Sequence, residues 1–355
     1  MNRTTYINVV SGKGGTGKTL LCSILAELLG NQNVSVLVVD MDIFVRGLTT
    51  LLYFQKSESL KLSNRRELTV SDIFYGRVPM SNKQKDYPKE FSLATHKYRS
   101  FEIVPAVSRI DELFDFEREM IFDFEYNEHI FDTVKNLVGE EKYDYVFLDC
   151  RAGYDSLVSA IHKNSDITIC VQEEDDISDV TANNLIRQLE RDSRRKTIFK
   201  VVNKARNITS FEDLEQKGHK GIDSLGYIPF DMDVMNSFGK KSFWDDISRS
   251  LYKSAVAEVW NRLAMKTELG HSLFYKRYSP LFSEKVERSF GIIGQSQRLL
   301  AAFGLVLGIC GLLFPFFGRE IMYMFDERPE ILISFFISIM GFAMFTFSFL
   351  SKKKR

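Results

Sequence analysis

The sequence predicts an α/β fold, in which a mostly parallel β-sheet carries helices on both faces, followed by a C-terminal two-helix transmembrane hairpin. Three observations support this prediction. Strand-like and helix-like segments alternate over residues 1–265, and such alternation favours a parallel sheet because crossover helices join its strands. A glycine-rich loop follows the first strand-like segment and opens a helix. Two uncharged segments, residues 299–317 and 331–350, are each long enough to cross a membrane.

Seven short segments have the apolar and often β-branched composition of buried strands. They are Tyr6–Val10, Val34–Val39, Phe101–Val104, Tyr145–Leu148, Ile167–Val171, Ile198–Val202 and Gly226–Ile228. The patterns between them predict the helices Thr19–Leu29, Ile110–Leu137, Tyr154–His162, Asp179–Arg191 and Ile247–Met265. Gly30 stands where a glycine would cap the first helix. Two polar stretches, Lys56–Arg66 and Ser81–Ser100, are predicted to be loops or insertions.

One predicted helical region, Glu112–Phe131, mixes acids with many Phe and Tyr residues. It could present a face on which a protein partner docks. A helix that buries its aromatic side chains in the core is the favoured interpretation.

The composition weighs for or against several classes of protein. The 355 residues carry 47 basic and 47 acidic side chains, so the formal net charge is zero and gives no general argument for nucleic acid or anionic substrates. Four cysteines lie far apart and form no C-x-x-C pair, which favours unpaired thiols in a reducing cytosol and disfavours an iron–sulfur carrier. They are Cys22, Cys150, Cys170 and Cys310. The five histidines show no metal-ligand spacing.

The C-terminal fifth of the chain differs from the rest. A polar connector over residues 266–298 leads to the uncharged segments within residues 299–350, and a basic tail follows at residues 351–355. At 1.5 Å rise per residue, each uncharged segment reaches about 28–30 Å, the thickness of a bilayer core. A buried hairpin in a soluble core is disfavoured because core helices normally keep a polar stripe.

Flanking charge predicts the orientation of this hairpin. Arg298 precedes the first uncharged segment and the basic tail follows the second, so both ends are expected on the cytosolic side. The apolar stretch Ile7–Val10 is too short to be a signal peptide. We therefore expect a multi-pass protein of the cytoplasmic (inner) membrane, with its main domain and both termini in the cytosol.

The glycine-rich loop reads Ser-Gly-Lys-Gly-Gly-Thr-Gly-Lys-Thr over Ser11–Thr19. A strand before it and a helix after it are the context that a phosphate-binding P-loop requires. Glycines let backbone N–H groups turn toward phosphates, and the helix N-terminus favours negative charge. Lys18 is spaced to reach the β- and γ-phosphates, and the Thr19 hydroxyl is a candidate Mg²⁺ ligand. The predicted nucleotide-binding residues here are Gly12, Lys13, Gly14, Gly15, Thr16, Gly17, Lys18 and Thr19.

Acidic residues follow two of the predicted strands. Asp40 and Asp42 come after Val34–Val39, and Asp149 comes after Tyr145–Leu148. Ligands of parallel sheets bind at the carboxyl ends of the strands, so these acids are expected near the P-loop. A carboxylate there can hold Mg²⁺ through water or orient an attacking water. Taken alone, acids that merely end a strand would be an equally good explanation, and the nearby P-loop favours the functional one.

The loop contains a second lysine, Lys13, which an ordinary P-loop does not need. With it, Lys13–Thr19 resembles the deviant Walker A loop of the MinD/ParA ATPases, K-G-G-x-G-K-T. Asp40–Leu48 is similar to the segment D-x-D-I-x-x-R-x-L of that family. The resemblance implies that ATP joins two copies of the chain in a sandwich, and that Lys13 contacts the phosphates bound by the partner subunit.

The same resemblance implies a division of tasks among the acids. Asp40 lies near the metal and Asp42 positions the hydrolytic water. Tyr145–Asp149 is similar to a Walker B strand, which makes Asp149 a further partner of Mg²⁺. The implied catalytic residues are Lys13, Lys18 and Asp42, and the implied metal-binding residues are Thr19, Asp40 and Asp149.

Two later segments resemble the family's base pocket. Asn203 follows a predicted strand and by resemblance contacts adenine, and Pro229 lies in a segment similar to G-x-I-P-x-D, which closes the pocket. Arg151 stands where the family usually has the proline of S-P-A-G. It either stabilises transition-state charge beside the phosphates or is a solvated surface arginine. The resemblance covers about residues 5–265, without the polar insertions and the hairpin.

These features predict a membrane-anchored ATPase that uses ATP and Mg²⁺, forms a homodimer, and switches the recruitment or positioning of an unknown protein partner at the lipid bilayer. A bacterial-type tyrosine kinase is one alternative, disfavoured because the spans follow the domain and only Tyr275 and Tyr278 lie nearby. A DNA-positioning ParA-like protein is another, supported by a basic run that could contact phosphates. This run comprises Arg191, Arg194, Arg195 and Lys196. Zero net charge favours a solvated helix end, and nucleic acid stays an open alternative.

Overall fold

The structure is a computed structural model. In it the chain forms two compact units, Met1–Tyr278 and Ser279–Arg355. The structure describes residues 3–55, 66–76, 91–108, 123–139, 141–193, 197–206, 224–248 and 250–273, all within the first unit. The predicted hairpin at residues 299–350, the basic tail and most of the connector lie outside the described residues. Within the described ranges, no helix has both the length and the apolar character needed to cross a membrane.

Eight described strands form one sheet in the order β10-β9-β8-β1-β7-β2-β6-β5. Every neighbouring pair is parallel except β5 and β6, which are antiparallel. The mostly parallel sheet predicted from the sequence is therefore confirmed. The strands are β1 (Thr5–Ser11), β2 (Val36–Asp40), β5 (His96–Tyr98), β6 (Phe101–Val104), β7 (Tyr145–Ala152), β8 (Ile167–Glu173), β9 (Ile198–Ala205) and β10 (Ser224–Pro229). A separate two-stranded parallel sheet pairs β3 (Glu67–Leu68) with β4 (Ser92–Leu93).

Nine helices in the described part of the chain flank the large sheet or connect its strands. They are α1 (Lys18–Gly30), α2 (Gly47–Gln55), α3 (Val70–Phe74), α4 (Phe124–Val138), α5 (Ser156–Asn164), α6 (Asp176–Asp192), α7 (Met232–Ser237), α8 (Phe243–Ser248) and α9 (Leu251–Thr267). An aspartate caps the N-terminus of α4, α5, α6 and α7, where its carboxylate accepts a backbone N–H that has no partner within the helix. Helix α1 packs against α9, and α5 packs against both α4 and α6.

The seven predicted strands are all present, and β7, β8, β9 and β10 continue beyond their predicted ends. The polar stretch Ser81–Ser100 is predicted to be a loop or an insertion, and its described part contains β4 and β5. The predicted helix Ile247–Met265 is instead two helices, because Ser250 caps the N-terminus of α9 with its side chain. Of the predicted helix Ile110–Leu137, residues 110–122 lie outside the described residues, and the rest corresponds to α4.

Gly30 does not cap helix α1 in the way its position suggests. It is the last helical residue, and Asn31 follows as the C-cap in right-handed helical conformation. A Cβ at Gly30 would overlap the backbone carbonyl of Ser100, so this glycine is required by the close approach of a neighbouring turn. The prediction of a left-handed glycine cap is therefore wrong.

Burial supports the core assignments made from the sequence. Ile7, Val9 and Val10 of the central strand are completely buried, as expected for a strand covered on both faces. Phe131 of α4 is also completely buried, which supports the core-helix interpretation of the aromatic region. The described cysteines, Cys22, Cys150 and Cys170, are buried free thiols, and Cys310 lies outside the described residues.

The strand order brings the predicted site residues to one edge of the sheet. Strand β1 lies between β7 and β8, and β2 lies next to β7. The register pairs Asp40 with Asp149 and Glu173 with Asn203 on neighbouring strands. Because all these strands are parallel, their carboxyl ends and the P-loop that follows β1 meet at the same edge.

Candidate nucleotide-binding site

The P-loop connects β1 to α1 in a conformation that its glycines permit. Gly15 and Gly17 have φ of 79° and 95°, in the left-handed region that side chains disfavour. Gly12 lies against helix α6, where a Cβ would overlap the backbone of Thr181 and Ala182. These three glycines are therefore needed for the course of the loop itself, in addition to any contact with phosphates.

Lys18 is held inside the loop. Its Nζ donates to Ser11 Oγ at 2.9 Å, and Ser11 Oγ in turn donates to the carbonyl oxygen of Lys13 at 2.7 Å. The side chain is buried although it carries a charge, which is rare for lysine unless a partner is present. This arrangement places the Lys18 ammonium group beside Ser11 at the start of the P-loop, where a positive charge favours binding of an anion.

Asp149 has one oxygen engaged and one without a partner. Thr19 Oγ1 donates to Asp149 Oδ2 at 2.6 Å, whereas the buried Oδ1 has no hydrogen-bond partner in the structure. Burial raises the pKa of Asp149 to about 6, against the opposing effects of the Thr19 hydrogen bond and the Lys18 charge. A buried carboxylate oxygen without a donor indicates that a cation or ordered water belongs beside it.

Asp40 is completely buried and is held differently. Its Oδ2 accepts from the backbone N–H and the hydroxyl of Thr49, at 2.8 and 2.7 Å, and its Oδ1 accepts from the N–H of Asp42 at 3.2 Å. Burial, and after it the negative charge of Asp149, raise the pKa of Asp40 to about 8, against the opposing effect of the Thr49 hydrogen bonds. Asp40 thus fastens the start of α2 to the end of β2, a function that sequence reasoning missed. Its position near a metal stays a prediction.

Asp42 organises the loop that follows β2. Its Oδ1 accepts from the backbone N–H groups of Phe44 and Val45, at 3.3 and 3.0 Å. The residue as a whole is half-buried. This geometry is compatible with orienting a water molecule, and the catalytic function of Asp42 stays a prediction.

Arg151 links two loops at the edge of the sheet. Its Nε lies 3.1 Å from Asp155 Oδ2, and its guanidinium lies 5.0 Å from the centre of the Phe44 ring. Arg151 therefore contacts a neighbour on each of the two loops. It stands at the position where the family resemblance predicts a proline. Through Phe44 it restrains the segment whose backbone N–H groups bind Asp42.

Lys13 forms two ion pairs within its own chain. Its Nζ lies 3.0 Å from Glu173 Oε2 and 2.9 Å from Asp175 Oδ2, and 30% of the side chain is exposed. Hydrogen bonds to Asp175 and then Glu173 raise the pKa of Lys13, so it stays charged. Because ion pairs at this exposure contribute little free energy, Lys13 can leave them for a stronger anion.

Sequence reasoning did not identify the two acids that bind Lys13. Glu173 ends β8 and Asp175 caps α6, so both belong to the same carboxyl edge as the P-loop. Glu173 also lies 2.6 Å from the Nζ of Lys204, which donates to the carbonyl oxygen of Gly15. An acidic residue at the carboxyl end of a strand is the signal that predicts Asp40, Asp42 and Asp149 at this edge, and Glu173 at the end of β8 carries the same signal.

Asn203 lies beneath the P-loop. It is completely buried, its Nδ2 donates to the carbonyl oxygen of Thr16 at 2.7 Å, and its Oδ1 accepts from the Lys204 N–H and the Tyr252 hydroxyl. Pro229 ends β10 and is in register with Ala205 on β9. The structure thus places Asn203 against the loop backbone, and the adenine contacts of Asn203 and Pro229 stay predictions.

The remaining candidate residues are not part of this site or lie outside the described residues. No group of three or more His, Cys, Asp or Glu side chains in the described residues could hold a metal ion by itself. Of the basic run, Arg191 lies in the last turn of α6, whereas residues 194–196 are outside the described part, as are Tyr275 and Tyr278.

A family model described as an AAA domain matches residues 4–202, which is more than half of the chain. The chain belongs to this AAA domain family. Together with the relatives and the fold, this match makes the chain a P-loop ATP hydrolase of the MinD/ParA type.

This AAA domain protein is similar to the septum site-determining protein MinD of Bacillus subtilis (strain 168). The two are 26% identical over 241 residues, which cover 65% of this chain and 78% of the relative. It is also similar to an ATP-binding protein of Methanocaldococcus jannaschii, with 25% identity over 233 residues, 64% of this chain and 86% of the relative.

Solved structures share the fold of this AAA domain protein. A plasmid partition protein from Borrelia burgdorferi B31, bound to AMPPNP, has a TM-score of 0.54 at 19% identity and covers 74% of this chain and 99% of its own. The MinC:MinD cell division protein complex of Aquifex aeolicus has a TM-score of 0.50 at 23% identity, with 78% and 100% covered. At these identities the likeness shows the fold alone.

Proposed function

We propose that this ATPase binds ATP with Mg²⁺ at residues 11–19, forms an ATP-sandwich homodimer, and uses hydrolysis to switch the recruitment or positioning of a protein partner at a membrane. The observation that carries the proposal is Lys13. It lies on the P-loop with part of its side chain exposed, and its present partners are the carboxylates of its own chain.

The residues at the site fit a bound Mg²⁺ ion. Thr19 Oγ1 and the unpartnered Oδ1 of Asp149 offer oxygen atoms on neighbouring groups. Mg²⁺ in nucleotide sites takes one or two protein oxygens and fills its other positions with phosphate oxygens and water, so a cluster of three carboxylates is not needed. When bound, the ion would neutralise charge on the β- and γ-phosphates.

The chain's own groups would supply the rest of the catalytic environment. The glycine-rich backbone offers N–H groups to the phosphates, and Lys18 adds a buried positive charge beside them. Asp42 is the candidate for orienting the attacking water, since its carboxylate fixes its own loop by hydrogen bonds and the residue is half-buried at the edge of the sheet that carries the P-loop. Catalysis of this kind depends on positioning and charge stabilisation, with little covalent chemistry for the protein to perform.

Exposed apolar side chains support a partner at this edge of the sheet. Val45 is 75% exposed and Ile177 is 71% exposed, and both Phe44 and Val180 are also exposed. Val45 follows the Asp42 loop, while Ile177 and Val180 lie in the first turns of α6, next to the residues that contact Gly12 and Lys13. A second copy of the chain with ATP between the two would cover these side chains and receive Lys13.

Membrane attachment is proposed from the sequence at residues 299–350. Two uncharged segments with basic flanks would hold the ATPase on the cytoplasmic face as a multi-pass anchor. The MinC:MinD complex shows that a protein with this fold assembles with a protein partner. We propose that this chain likewise controls a protein partner, with ATP regulating association in the membrane plane.

The test compares Lys13→Ala with wild type in the full chain solubilised in mild detergent. We expect wild type to dimerise with Mg²⁺–ATP in sedimentation experiments, and the variant to stay monomeric with strongly reduced hydrolysis. Lys163→Ala is the matched control, because Lys163 also forms one exposed ion pair, with Glu128 at 3.0 Å. If Lys13→Ala dimerises and hydrolyses ATP like the control, the proposed sandwich loses its basis.

A further inference from the structure

A buried chain of hydrogen bonds joins the last described helix to the P-loop. Tyr252, in the first turn of α9, is completely buried, and its hydroxyl donates to Asn203 Oδ1 at 2.9 Å. Asn203 is also completely buried, and its Nδ2 donates to the carbonyl oxygen of Thr16 at 2.7 Å. Tyr252 therefore reaches the phosphate-binding loop through a single intervening side chain.

The Tyr252 hydroxyl completes the hydrogen bonding of the Asn203 amide. A backbone N–H can only donate, so the Lys204 N–H, 2.9 Å away, fixes which end of the amide is Oδ1. A carbonyl oxygen has two lone pairs, and the tyrosine hydroxyl occupies the second one. Burial raises the pKa of Tyr252, so the hydroxyl keeps its proton at any working pH.

The position of the Asn203 amide matters directly to the loop. Gly17, the N-cap of α1, packs so closely on this amide that a Cβ would overlap Asn203 Nδ2. A shift of the amide would therefore move both the Thr16 carbonyl and the Gly17 backbone. Protein interiors are close-packed, so such a shift is transmitted to neighbouring atoms with little loss.

Tyr252 is itself held by the caps of two helices. Its backbone N–H donates to Ser250 Oγ at 2.9 Å, and the Ser250 hydroxyl hydrogen-bonds Asp231. Asp231 is the N-cap of α7 and accepts from the N–H groups of Asp233 and Val234. The ring is thus fixed at both its backbone and its hydroxyl end.

We propose that Tyr252 is a positioning residue for nucleotide binding. Its hydroxyl holds Asn203, and Asn203 holds the P-loop backbone at Thr16 and Gly17 in the conformation that receives phosphates. The hydroxyl itself does not touch the nucleotide. Its contribution is to keep the loop ordered before the nucleotide arrives, which reduces the ordering cost of binding.

The experiment measures equilibrium binding of two probes, Mg²⁺–ADP and Mg²⁺–pyrophosphate, to the full chain carrying Tyr252→Phe. This change removes the hydroxyl and keeps the ring. We expect Kd to rise about five-fold for both probes, the effect of losing one buried neutral hydrogen bond. The KM for ATP is expected to rise with it, and kcat to change less than about two-fold.

Tyr98→Phe is the matched control. Tyr98 is buried away from the P-loop and accepts from Trp244 Nε1 at 3.1 Å, so its removal costs a comparable hydrogen bond. Both variants are expected to lower Tm, but Tyr98→Phe should leave Kd for the two probes unchanged. Equal effects of the two variants on Kd would show a merely structural contribution and overturn the proposal.

Two further measurements separate the proposed pathway from its rivals. In an Asn203→Ala background, adding Tyr252→Phe should not change Kd further, because the pathway runs through Asn203. Amide hydrogen exchange of residues 12–19 should accelerate in Tyr252→Phe and not in Tyr98→Phe. Weakened ADP binding with unchanged pyrophosphate binding would place the effect at the base and would also overturn the proposal.

Discussion

The two buried aspartates at the edge of the sheet that carries the P-loop differ in their hydrogen-bond partners, and therefore in what each one does. Asp40 and Asp149 are neighbours in register, and both are buried in the same low-dielectric region. Asp40 accepts three hydrogen bonds and fastens α2, whereas Asp149 keeps one oxygen without a partner. The sequence predicted that these acids would meet beside the P-loop. It could not predict which one would hold the chain together, because that depends on Thr49, nine residues away.

The raised pKa of Asp40 predicts a pH dependence of stability in the absence of nucleotide. Its pKa of about 8 exceeds the unfolded value of about 3.9, so between these values the folded state binds more protons than the unfolded state. Stability from this site is therefore present at low pH and is lost as the pH rises toward 8. We expect an Asp40→Asn variant to show a smaller fall in Tm than wild type between about pH 5 and pH 8.

Asp144→Asn controls for this pH comparison. Asp144 precedes β7, at the opposite end of the strand from Asp149, and its carboxylate accepts the Ser35 N–H. This variant should keep the pH slope of the wild type. A wild-type slope in Asp40→Asn as well would contradict the assignment of the pH dependence to the buried aspartate.

At the scale of elements, the sequence predicted the strands whose position follows from local composition. It did not predict the contacts between segments that are far apart in the chain. The apolar composition of β1, β2 and β7 was sufficient to locate them, since strands buried on both faces read as continuous apolar runs. The short elements α3 and α8 were missed because they are too brief for a helical period to show. The acidic pair that binds Lys13 was not predicted, because it reaches the P-loop only through the pairing of β8 with β1.

Gly30 allows a direct test of packing between α1 and the turn before β6. A Gly30→Ala variant would place Cβ against the Ser100 carbonyl, and we expect it to lower the free energy of unfolding by about 1–3 kcal/mol. Urea unfolding of the full chain measures this. Gly270→Ala is the control, because its Cβ would meet nothing within 4 Å and the change should stay within about 0.5 kcal/mol. Equal stability of the two variants would show that the turn relaxes without cost.

At the scale of the whole molecule, the proposed membrane hairpin alters what nucleotide binding can control. A relative that cycles on and off a membrane would use ATP to attach. A chain with two spans at residues 299–350 would stay attached, so ATP would govern dimerisation and partner binding. The sequence supports the hairpin through length, lack of charge and basic flanks.

A truncation after residue 298 tests the anchor. We expect the full chain to remain with the membrane fraction after washes at high salt and at alkaline pH, because two spans are held by apolar burial and not by charge. The truncated chain should appear in the soluble fraction with its ATP hydrolysis retained. Release of the full chain by the salt wash would contradict a spanning hairpin.

The central claim is that Lys13 acts on the nucleotide of the partner subunit, and a mixing experiment tests it most directly. Asp42→Ala should bind ATP without hydrolysing it and still offer its Lys13, whereas Lys13→Ala keeps an intact Asp42. Each variant alone is expected to be nearly inactive. In a mixture the two chains can pair, and one of the two sites of each mixed dimer is complete, so hydrolysis should rise well above the sum of the two separate variants. Activity no greater than the sum of the separate variants would contradict action in trans.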